Sequence, residues 1–248
     1  MFCPIRRRYA DRFVGVTPKS YEELHDRHRK VLKVFSRYRF KNILDIGCGD
    51  GSFTLLIKEA CKAEEVYAVE ISERGVEEAS KKGVKVFRLD INIEDLPFKD
   101  ELFDAVFAGE IIEHLFDPDH FLDEVYRVLK PKGILILTTP NLASLHNRIA
   151  LLLGYQPFPL GVSLRFNIGR LIEHTEGPQS LDHVRVFTLR ALKKLLELHN
   201  FKILEIKGSS AQLPKRRSLL LKLLSFVDRF LTLFPSLSYR IIVTAEKT

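Results

Sequence analysis

The sequence predicts an α/β fold built on a mostly parallel sheet, on the strength of two observations. Seven short runs rich in β-branched residues recur along the 248-residue chain, and helical stretches of suitable length lie between the first five. Strands that alternate with helices need crossover connections, which place helices on both faces of a parallel sheet. Hydrophobic residues at 46% and charged residues at 29% are ordinary for a chain that buries a sizeable core.

The predicted elements follow one another in a regular order. The strands are expected at residues 42–46, 66–70, 84–90, 104–109, 133–139, 201–208 and 239–247. The helices between the first five strands are expected at residues 52–62, 72–82 and 118–130. One apolar stripe runs along the third of these helices and consists of Phe121, Leu122, Val125, Val128 and Leu129. No crossover helix of that quality separates the last two strands, so we expect them to form an antiparallel hairpin at the sheet edge.

Three segments lie outside this alternating pattern. Residues 19–39 are predicted to form a basic N-terminal helix. Residues 141–182 interrupt the pattern after the fifth strand, and residues 211–238 separate the last two strands by more than a hairpin needs. We find no internal repeat and no low-complexity tract.

The chain is basic, and its positive charge is local. The net charge is +7 and the pI is about 9.3, a balance compatible with an anionic partner such as nucleic acid, an acidic metabolite or a lipid headgroup. The basic clusters are Arg6, Arg7 and Arg8; then Arg27, Arg29, Lys30, Lys33, Arg37 and Arg39; and finally Lys215, Arg216 and Arg217.

Cysteine usage predicts a cytoplasmic protein. Cys3, Cys48 and Cys61 are too few and too scattered for a disulfide framework or a zinc site. The N-terminus lacks the apolar region and cleavage site of a signal peptide, and no run of about 18 uncharged apolar residues predicts a membrane span. The absence of Trp, the single Met and the surplus of charged residues resemble the composition of thermophile proteins.

A glycine-rich turn follows the first predicted strand, in the stretch NILDIGCGDG. Asp45 is followed by Gly47, Gly49 and Gly51 at alternate positions. The Walker phosphate loop requires a lysine that this stretch lacks, and the nicotinamide fingerprint requires glycine where Ser52 stands. Glycines at the end of a first strand permit positive φ and the close approach of a ligand. They are also compatible with a tight turn that binds nothing.

Two further acids favour the ligand-binding interpretation. Glu70 ends the second predicted strand, 21 residues after Gly49, which suits a carboxylate that binds ribose hydroxyls. Asp90 ends the third predicted strand, where an acid can accept a hydrogen bond from an adenine amino group. Each acid alone could be a solvated strand end. Together with Asp45 they make three acids at three consecutive strand ends, a pattern that indicates one binding site.

These residues belong to stretches in which the chain resembles a known family, the class I S-adenosylmethionine-dependent methyltransferases. The likeness is greatest to the methyltransferase type 11 group, which includes the ubiquinone-biosynthesis O-methyltransferases. The matching stretches, in family order over roughly residues 40–206, are LDIGCGDGSF, VYAVEIS, LDINIEDLPF, FDAVFAGEIIEHLFDP, VLKPKGILILTTPN and HVRVFTLRALKKLLELHNF. The resemblance implies a Rossmann-like seven-stranded sheet, mostly parallel with the last strand antiparallel, and S-adenosyl-L-methionine as the cofactor.

The same resemblance implies a role for each matching position. The glycine turn and its acid would hold the methionine moiety, the acid of the second strand the ribose, and the acid of the third strand the adenine. Gly109 and Glu110 would border the sulfonium and the mouth through which the acceptor enters. The cofactor-binding positions implied in this way are Asp45, Gly47, Cys48, Gly49, Gly51, Glu70, Ile71, Asp90, Ile91, Gly109 and Glu110.

We expect one methyltransferase domain over residues 1–248. Its parts are an N-terminal helical cap at 1–40, a cofactor-binding core at 41–140, a substrate-side lid insert at 141–182, and a C-terminal helix with an edge hairpin at 183–248. The last part contains a basic amphipathic insert at 211–238.

The stretch EIIEH offers candidate catalytic groups. Glu110, Glu113 and His114 would share one face if the segment is helical. A hydroxyl acceptor needs a general base, for which His114, Glu110 and the more distant His183 are the candidates. The pattern also resembles the E-x-x-E-H of metal-dependent RNA 2′-O-methyltransferases, with His183 as a possible fourth ligand. A third interpretation is that Glu113 and His114 merely hydrogen-bond to nearby backbone. We predict no tightly bound metal.

The two later inserts each allow two interpretations. The apolar and aromatic side chains of NRIALLLGYQPFPL suit either a cover over an apolar acceptor or a lid packed on the core. The stretch PKRRSLLLKLLSFVDRFLTLFP has the pattern of a basic amphipathic helix, which can lie on an anionic membrane surface or pack against protein.

The sequence therefore supports one leading function and two alternatives. The first is an enzyme that methylates an O or N atom of a small-molecule, lipid-linked or glycan-linked acceptor. An RNA methyltransferase is less favoured because no RNA-binding appendage accompanies the core. A scaffold that binds the cofactor without turnover is the third, and the intact acids at the strand ends argue against it.

Overall fold

A computed structural model describes residues 24–163, 166, 168–171, 183–211 and 219–248. Its centre is one seven-stranded sheet in the order β3-β2-β1-β4-β5-β7-β6. The strands are β1 (Asn42–Ile46), β2 (Glu65–Glu70), β3 (Lys85–Arg88), β4 (Phe103–Gly109), β5 (Leu129–Pro140), β6 (Phe201–Ser209) and β7 (Arg240–Lys247).

The strand directions confirm the predicted fold class. Strands β1 to β5 run parallel to one another. Strand β7 lies between β5 and β6 and is antiparallel to both. The predicted antiparallel pairing of the last two strands is therefore confirmed, as is the antiparallel last strand. The strand order runs outward from β1 in one direction as β1-β2-β3 and in the other as β4-β5. The carboxyl ends of β1 and β4 therefore meet at the switch point where sheets of this type bind ligands.

The helices connect these strands and cover both faces of the sheet. They are α1 (Asp26–Phe35), α2 (Ser52–Cys61), α3 (Glu73–Lys81), α4 (Pro118–Val128), α5 (Leu145–Leu152), α6 (Leu189–Leu198) and α7 (Leu219–Leu231), with a short 3₁₀ turn at Ile112–His114. Side-chain oxygens cap three of the helices: Ser72 accepts from the amide of Gly75, Asp117 from that of His120, and Thr188 from that of Ala191.

Two apolar layers hold the sheet between its helices. On one face, Phe121 and Val125 of α4 and Leu192 of α6 are fully buried against β4, β5 and β7. On the other face, α1 and α2 pack Phe35 and Ile57 against β1 and β4. The burial of these stripes removes apolar surface from water and accounts for the position of each helix.

The structure corrects the predicted boundary between α4 and β5. The apolar stripe of α4 is buried as predicted, but the helix ends at Val128 and Leu129 already pairs with Phe103 of β4. Because a residue before proline disfavours helical φ and ψ, Lys130, which precedes Pro131, cannot extend the helix easily. The strand therefore begins four residues earlier than its apolar core predicts.

Parts of the predicted outer segments lie outside the described residues. The N-terminal helix is described from Asp26 to Phe35, within the predicted 19–39. The clusters Arg6–Arg8 and Lys215–Arg217, and Cys3, belong to the ranges that the structure does not describe. Among the described residues, no helix is long and apolar enough to cross a membrane.

Candidate functional site

The glycine turn lies at the carboxyl end of β1 and is tied to the end of β2. The amides of Gly47 and Cys48 both donate to the carbonyl oxygen of Val69, at 2.9 and 3.4 Å. Gly47, Gly49 and Gly51 have φ values of 79°, 57° and 72°, in the left-handed region that favours glycine. The alternating glycines are therefore explained by three backbone positions with positive φ, at each of which a residue with a side chain would be strained.

Gly47 also has no room for a side chain. A Cβ atom built on it would lie 2.2 Å from Cδ1 and 2.7 Å from Cγ1 of Ile111, in the loop after β4. This contact brings the turn after β1 directly against the segment that contains Glu110 and Glu113. The two stretches that the sequence singled out separately are thus neighbours in space.

Asp45 lies beneath the turn and faces a hydroxyl group. Its side chain is buried, and Oδ2 accepts a hydrogen bond of 2.6 Å from Oγ1 of Thr54 in α2. The pKa of Asp45 is raised to about 7, mainly by burial. The charge of the nearby Glu70 contributes to this rise, and the Thr54 hydroxyl opposes it. A cationic group placed beside Asp45 would lower this pKa again, since it favours the charged carboxylate.

Glu70 joins the end of β2 to the glycine turn. Its two carboxylate oxygens accept hydrogen bonds from the amides of Gly49, at 2.8 Å, and Ser72, at 2.9 Å. Each carboxylate oxygen has a second lone pair, so the group can accept further hydrogen bonds from a ligand. Gly75 lets α3 approach this carboxylate, because a Cβ atom there would lie 2.9 Å from Cγ of Glu70.

Asp90 and Ile91 are buried at the end of β3, next to the loop after β4. Oδ1 of Asp90 accepts from the amide and from the side-chain nitrogen of Asn92, at 3.1 and 3.0 Å. Asn92 in turn accepts a hydrogen bond of 2.8 Å from the amide of Phe116. The acid predicted for the adenine is thus held in a fixed position. Cys48, also buried, has a raised pKa caused mainly by burial, so its thiol stays protonated and unreactive at neutral pH.

Glu110 directly follows the β4 residue Gly109 and is held by two arginines that sequence reasoning did not connect with it. Nε of Arg240 lies 2.7 Å from Oε2, and Nη1 of Arg27 lies 3.4 Å from Oε1. Oγ1 of Thr138 donates to Oε1 at 3.0 Å. Burial favours the neutral acid, but Arg240 and Arg27 outweigh it and lower the pKa of Glu110 to about 2. A carboxylate with this pKa is a weak base.

The expectation that EIIEH presents one helical face is corrected by the structure. Glu110 has a φ of 59°, and only Ile112–His114 form a 3₁₀ turn, so Glu110 and Glu113 point to different partners. Glu113 is fully buried; its Oε2 accepts from Oγ1 of Thr139 at 3.0 Å, and its Oε1 lacks a hydrogen-bond partner among the described residues. Burial, and then the negative charge of Glu110, raise the pKa of Glu113 well above its usual range.

The two candidate histidines meet beside Glu113. Their ring centroids are 4.9 Å apart, and Nε2 of His183 lies 4.0 Å from Oε1 of Glu113. Potential metal-ligand atoms of Glu113, His114 and His183 lie within 4.8 Å of one another. Nδ1 of His183 is 2.8 Å from the carbonyl oxygen of Pro159, which favours the tautomer with a proton on Nδ1 and a lone pair on Nε2. Burial, and then His114, lower the pKa of His183 to about 4, so this histidine is neutral at pH 7.

The residues that sequence reasoning missed are those that hold the predicted ones in place. Arg27 lies in the basic helix α1, among five other basic residues between 29 and 39 that give no reason to prefer it. Arg240 lies 130 positions from Glu110 in sequence, and its only local signal is a place at the start of an apolar strand. Thr54 could have been suspected, because it lies in the first turn of the helix after the glycine turn.

Comparison with known proteins gives this site a family context. Residues 44–137 match the model of a methyltransferase domain. A Mycobacterium tuberculosis protein named "Probable S-adenosylmethionine-dependent methyltransferase" is 35% identical over 116 residues, which cover 46% of this chain and 42% of the relative. The ubiquinone biosynthesis O-methyltransferase of Rickettsia akari is 32% identical over 117 residues, which cover 45% of each chain. The chain thus spans less than half the length of these curated relatives.

Solved structures show the same architecture. The crystal structure of an S-adenosylmethionine-dependent methyltransferase from Aquifex aeolicus superimposes with a TM-score of 0.57 at 20% sequence identity, and the match covers 100% of both chains. At this identity the similarity concerns the fold. The glycine turn, the acids of β1 to β3 and the loop after β4 all lie within the matched domain or at its edge.

Proposed function

We propose, from the premise that residues 44–137 of this chain are a class I methyltransferase domain, that the protein transfers a methyl group from S-adenosylmethionine to an O or N atom of an acceptor. The contact that carries the proposal is the 2.8 Å hydrogen bond between the Gly49 amide and Glu70. It joins the turn expected to receive the methionine moiety to the acid expected to bind the ribose, so both parts of one ligand would meet at one strand end.

The donor set fits this cofactor. When bound, S-adenosylmethionine supplies an activated methyl group on a sulfonium, and the acceptor atom displaces the sulfur in line. The buried carboxyl of Asp45, with a pKa of about 7, would become fully charged beside a cationic group. The carboxylate of Glu70, at the end of β2, would accept from the ribose hydroxyls, and Asp90, two residues after β3, would accept from the adenine amino group. Gly109 and Glu110 would border the reacting methyl group.

We propose His183 and His114 as the groups that act on the acceptor. His183 is neutral at pH 7, and its Nδ1 contact with the carbonyl of Pro159 leaves Nε2 as the proton-accepting nitrogen. Its pKa of about 4 makes it a weaker base than free imidazole, so its proposed part is to accept a hydrogen bond from the acceptor hydroxyl through Nε2 and orient it for attack. The structure favours a positioning role for Glu110, because both of its oxygens are engaged by Arg240, Arg27 and Thr138.

Calorimetry with two nucleotide ligands tests the core of this proposal. We expect S-adenosylmethionine to bind and NAD to give no heat, because the turn has the acid and glycine spacing of the first and lacks the third glycine of the nicotinamide fingerprint. Heat from NAD with none from S-adenosylmethionine would reject the proposal. A screen for species that gain one methyl group, in aqueous and lipid fractions separately, would then identify the acceptor.

Replacing Glu70 with alanine is expected to weaken S-adenosylmethionine binding by about 1–3 kcal/mol, the cost of leaving polar partners unpaired. The variant removes the acceptor of the Gly49 and Ser72 amides together with the proposed ribose contact. Glu73→Ala is the matched control, because Glu73 is exposed and its carboxylate contacts Arg88 at 3.3 Å. Equal affinities of the two variants would show that Glu70 does not contribute to cofactor binding.

Methyl transfer is expected to survive a chelator. Glu110, which the metal-binding pattern would need, is held by Arg240 and Arg27, and Glu113 has a pKa that keeps it protonated. A divalent ion would have to displace this proton with only two histidines to assist it. The measurement is turnover with and without EDTA on the dialysed protein. Loss of activity in EDTA, restored by magnesium or manganese, would contradict the prediction and favour a ribose or catechol hydroxyl as the acceptor.

The acceptor in this proposal is a small molecule or a lipid-linked or glycan-linked metabolite. The similarity to a ubiquinone biosynthesis O-methyltransferase supports a small, apolar acceptor. Peripheral membrane contact through residues 211–238, with residues 141–182 as a substrate-side lid, belongs to the same proposal.

A further inference from the structure

Two helices beside the acceptor side of the site expose apolar side chains and bury polar ones. In α5, Leu151 and Leu152 are exposed, Leu152 to 85%, whereas Asn147 is buried and donates a hydrogen bond of 3.0 Å to the carbonyl of Asn141. A helix that packs on a domain core normally shows the opposite arrangement. The described residues of this domain therefore leave this face of α5 uncovered.

The second helix, α7, is inverted in the same way. Phe226 and Phe230 are exposed, Phe226 to 70%, and with Leu233 they follow one another at spacings that share a face. Asp228, the only acid between residues 211 and 238, turns inward and accepts a hydrogen bond of 2.8 Å from the amide of Ala211. The outer face of α7 thus combines aromatic side chains with the exposed basic residues Lys222 and Arg229.

The start of α5 lies beside the segment that follows α7. The amide of Leu145, at the start of α5, donates to the carbonyl of Leu237 at 3.0 Å, and the side chain of Asn141 donates to the carbonyls of Pro235 and Ser236. The start of α5 is therefore fixed to the segment that follows α7. His146 of α5 stacks on Tyr239, with ring centroids 4.9 Å apart.

The same region borders the proposed acceptor site. Tyr239 precedes Arg240, which holds Glu110, and the carbonyl of Pro159, in the segment after α5, is in contact with His183. The segments that follow the two helices therefore contact the proposed groups: Pro159, after α5, contacts His183, and Arg240, after α7, holds Glu110. An acceptor entering from this side would pass the apolar surface.

We infer that the exposed faces of α5 and α7 form a docking surface for an anionic lipid bilayer, which presents the acceptor site to membrane-resident molecules. Among the described residues of 142–171 and 219–238, four are basic, namely Arg148, Arg170, Lys222 and Arg229, and one is acidic, namely Asp228. Basic side chains interleaved with apolar ones are typical of surfaces that lie in the headgroup region of anionic membranes.

A second copy of the chain fits this surface less well. A two-fold interface places the same patch against itself, so Arg148, Lys222 and Arg229 would meet like charges. The only acid of the 211–238 segment is turned inward and would not compensate them. Anionic headgroups supply the missing negative charge.

The docking surface stands independently of methyl transfer. Only the class of acceptor that the surface delivers rests on the proposed function.

Flotation of the full chain with phosphatidylcholine vesicles, with and without phosphatidylglycerol, tests the inference. We expect binding to the anionic vesicles that weakens at high salt. The double variant L152E/F226E should bind at least roughly tenfold more weakly, because two exposed apolar groups are lost from the contact. Leu198→Glu is the matched control: Leu198 is 65% exposed at the end of α6, next to the start of β6, whereas α7 follows the other end of that strand, and its variant should float like the unchanged protein.

Three further results would decide between interpretations. A K222E/R229E variant that loses binding only on anionic vesicles supports the role of charge. Absence of flotation by the unchanged protein overturns the inference, as does a dimer in light scattering that L152E/F226E converts to a monomer. Calorimetry with S-adenosylmethionine on the same samples checks that the variants are folded. It also separates the two proposals, because flotation without cofactor binding rejects methyl transfer alone, and cofactor binding without flotation rejects the docking surface alone.

Discussion

Replacement of Gly47 with alanine is expected to disrupt the cofactor turn, with one of the two largest effects of a single substitution in this protein. The φ of 79° costs an L-residue about 1–2 kcal/mol. The new Cβ would lie 2.2 Å from Cδ1 of Ile111, and overpacking of this kind adds about 1–3 kcal/mol. Ile111 is in the loop that leads to Glu113 and His114, so relief of the contact requires either a rotation of the Ile111 side chain or a shift of this loop that would also displace the proposed acceptor groups.

Gly83→Ala provides a matched control for this variant. Gly83 has a φ of 82°, but a Cβ atom built on it would meet nothing within 4 Å. The control therefore includes the backbone strain without the steric contact, and we expect it to bind S-adenosylmethionine normally. The measurements are the free energy of unfolding in urea and the dissociation constant for the cofactor. Equal losses in both variants would mean that the turn tolerates a side chain at position 47.

The positions of the inner strands could be predicted because each is a run of mostly apolar residues that is largely buried, whereas the edge strands β3 and β6 are mostly half-buried or exposed. Asn42–Ile46 has the predicted bounds, and β7 begins within one residue of its predicted start. The beginning of β5 could not be predicted in the same way, since Leu129 belongs to the apolar stripe of α4 and also pairs with Phe103. One side chain fits both periodicities, and only the pairing of the backbone decides between them.

The cofactor side of the site was more predictable than the acceptor side. Asp45 and Glu70 lie in the last two residues of β1 and β2, and Asp90 lies two residues after β3, so their proximity follows from the parallel topology. Glu110 differs because its partners, Arg27 and Arg240, come from opposite ends of the chain and no periodicity connects them. The positive φ of Glu110 also separates it from the face of Glu113 and His114, which no sequence pattern indicates for a non-glycine residue.

The inverted faces of α5 and α7 mark a further limit of sequence reasoning. Leucine-rich helical segments are normally assigned to a core, because buried packing is the common fate of leucine. The side on which Leu152 or Phe226 lies depends on Asn147 and Asp228, which make specific hydrogen bonds to backbone groups on the inner side. Polar contacts of this kind orient the helix, and they become visible only when the three-dimensional partners are known.

Replacement of Glu110 with glutamine is expected to lower the free energy of unfolding by about 3–5 kcal/mol at pH 7, the usual cost of removing one partner from a buried ion pair. The charge of Glu110 compensates both Arg240 and Arg27, whose side chains are each only 18% exposed. Nε of Arg27 lacks a hydrogen-bond partner among the described residues, and the other groups that contact its guanidinium, Oγ1 of Thr138 at 3.4 Å and Nε2 of His28 at 2.9 Å, carry no negative charge. Glutamine keeps the shape and the Thr138 contact but leaves two positive charges together in a poorly solvated place.

The effect of this substitution should also depend on pH in a defined direction. The folded-state pKa of Glu110 is about 2, below the ordinary value of 4.5, so its stabilising contribution is complete above pH 4.5 and is lost as the pH falls toward 2. The difference in unfolding free energy between the unchanged protein and Glu110→Gln should therefore be constant from pH 7 to about pH 5 and shrink below it.

Glu205→Gln is the control, because Glu205 also bridges two basic side chains, Arg37 and Lys207, but at 33% exposure. We expect it to cost about 1 kcal/mol or less, as surface ion pairs do. If urea unfolding gave equal losses for the two variants, the arginines would have to be solvated, and Glu110 would be free to act on the acceptor instead of holding the mouth of the site in place.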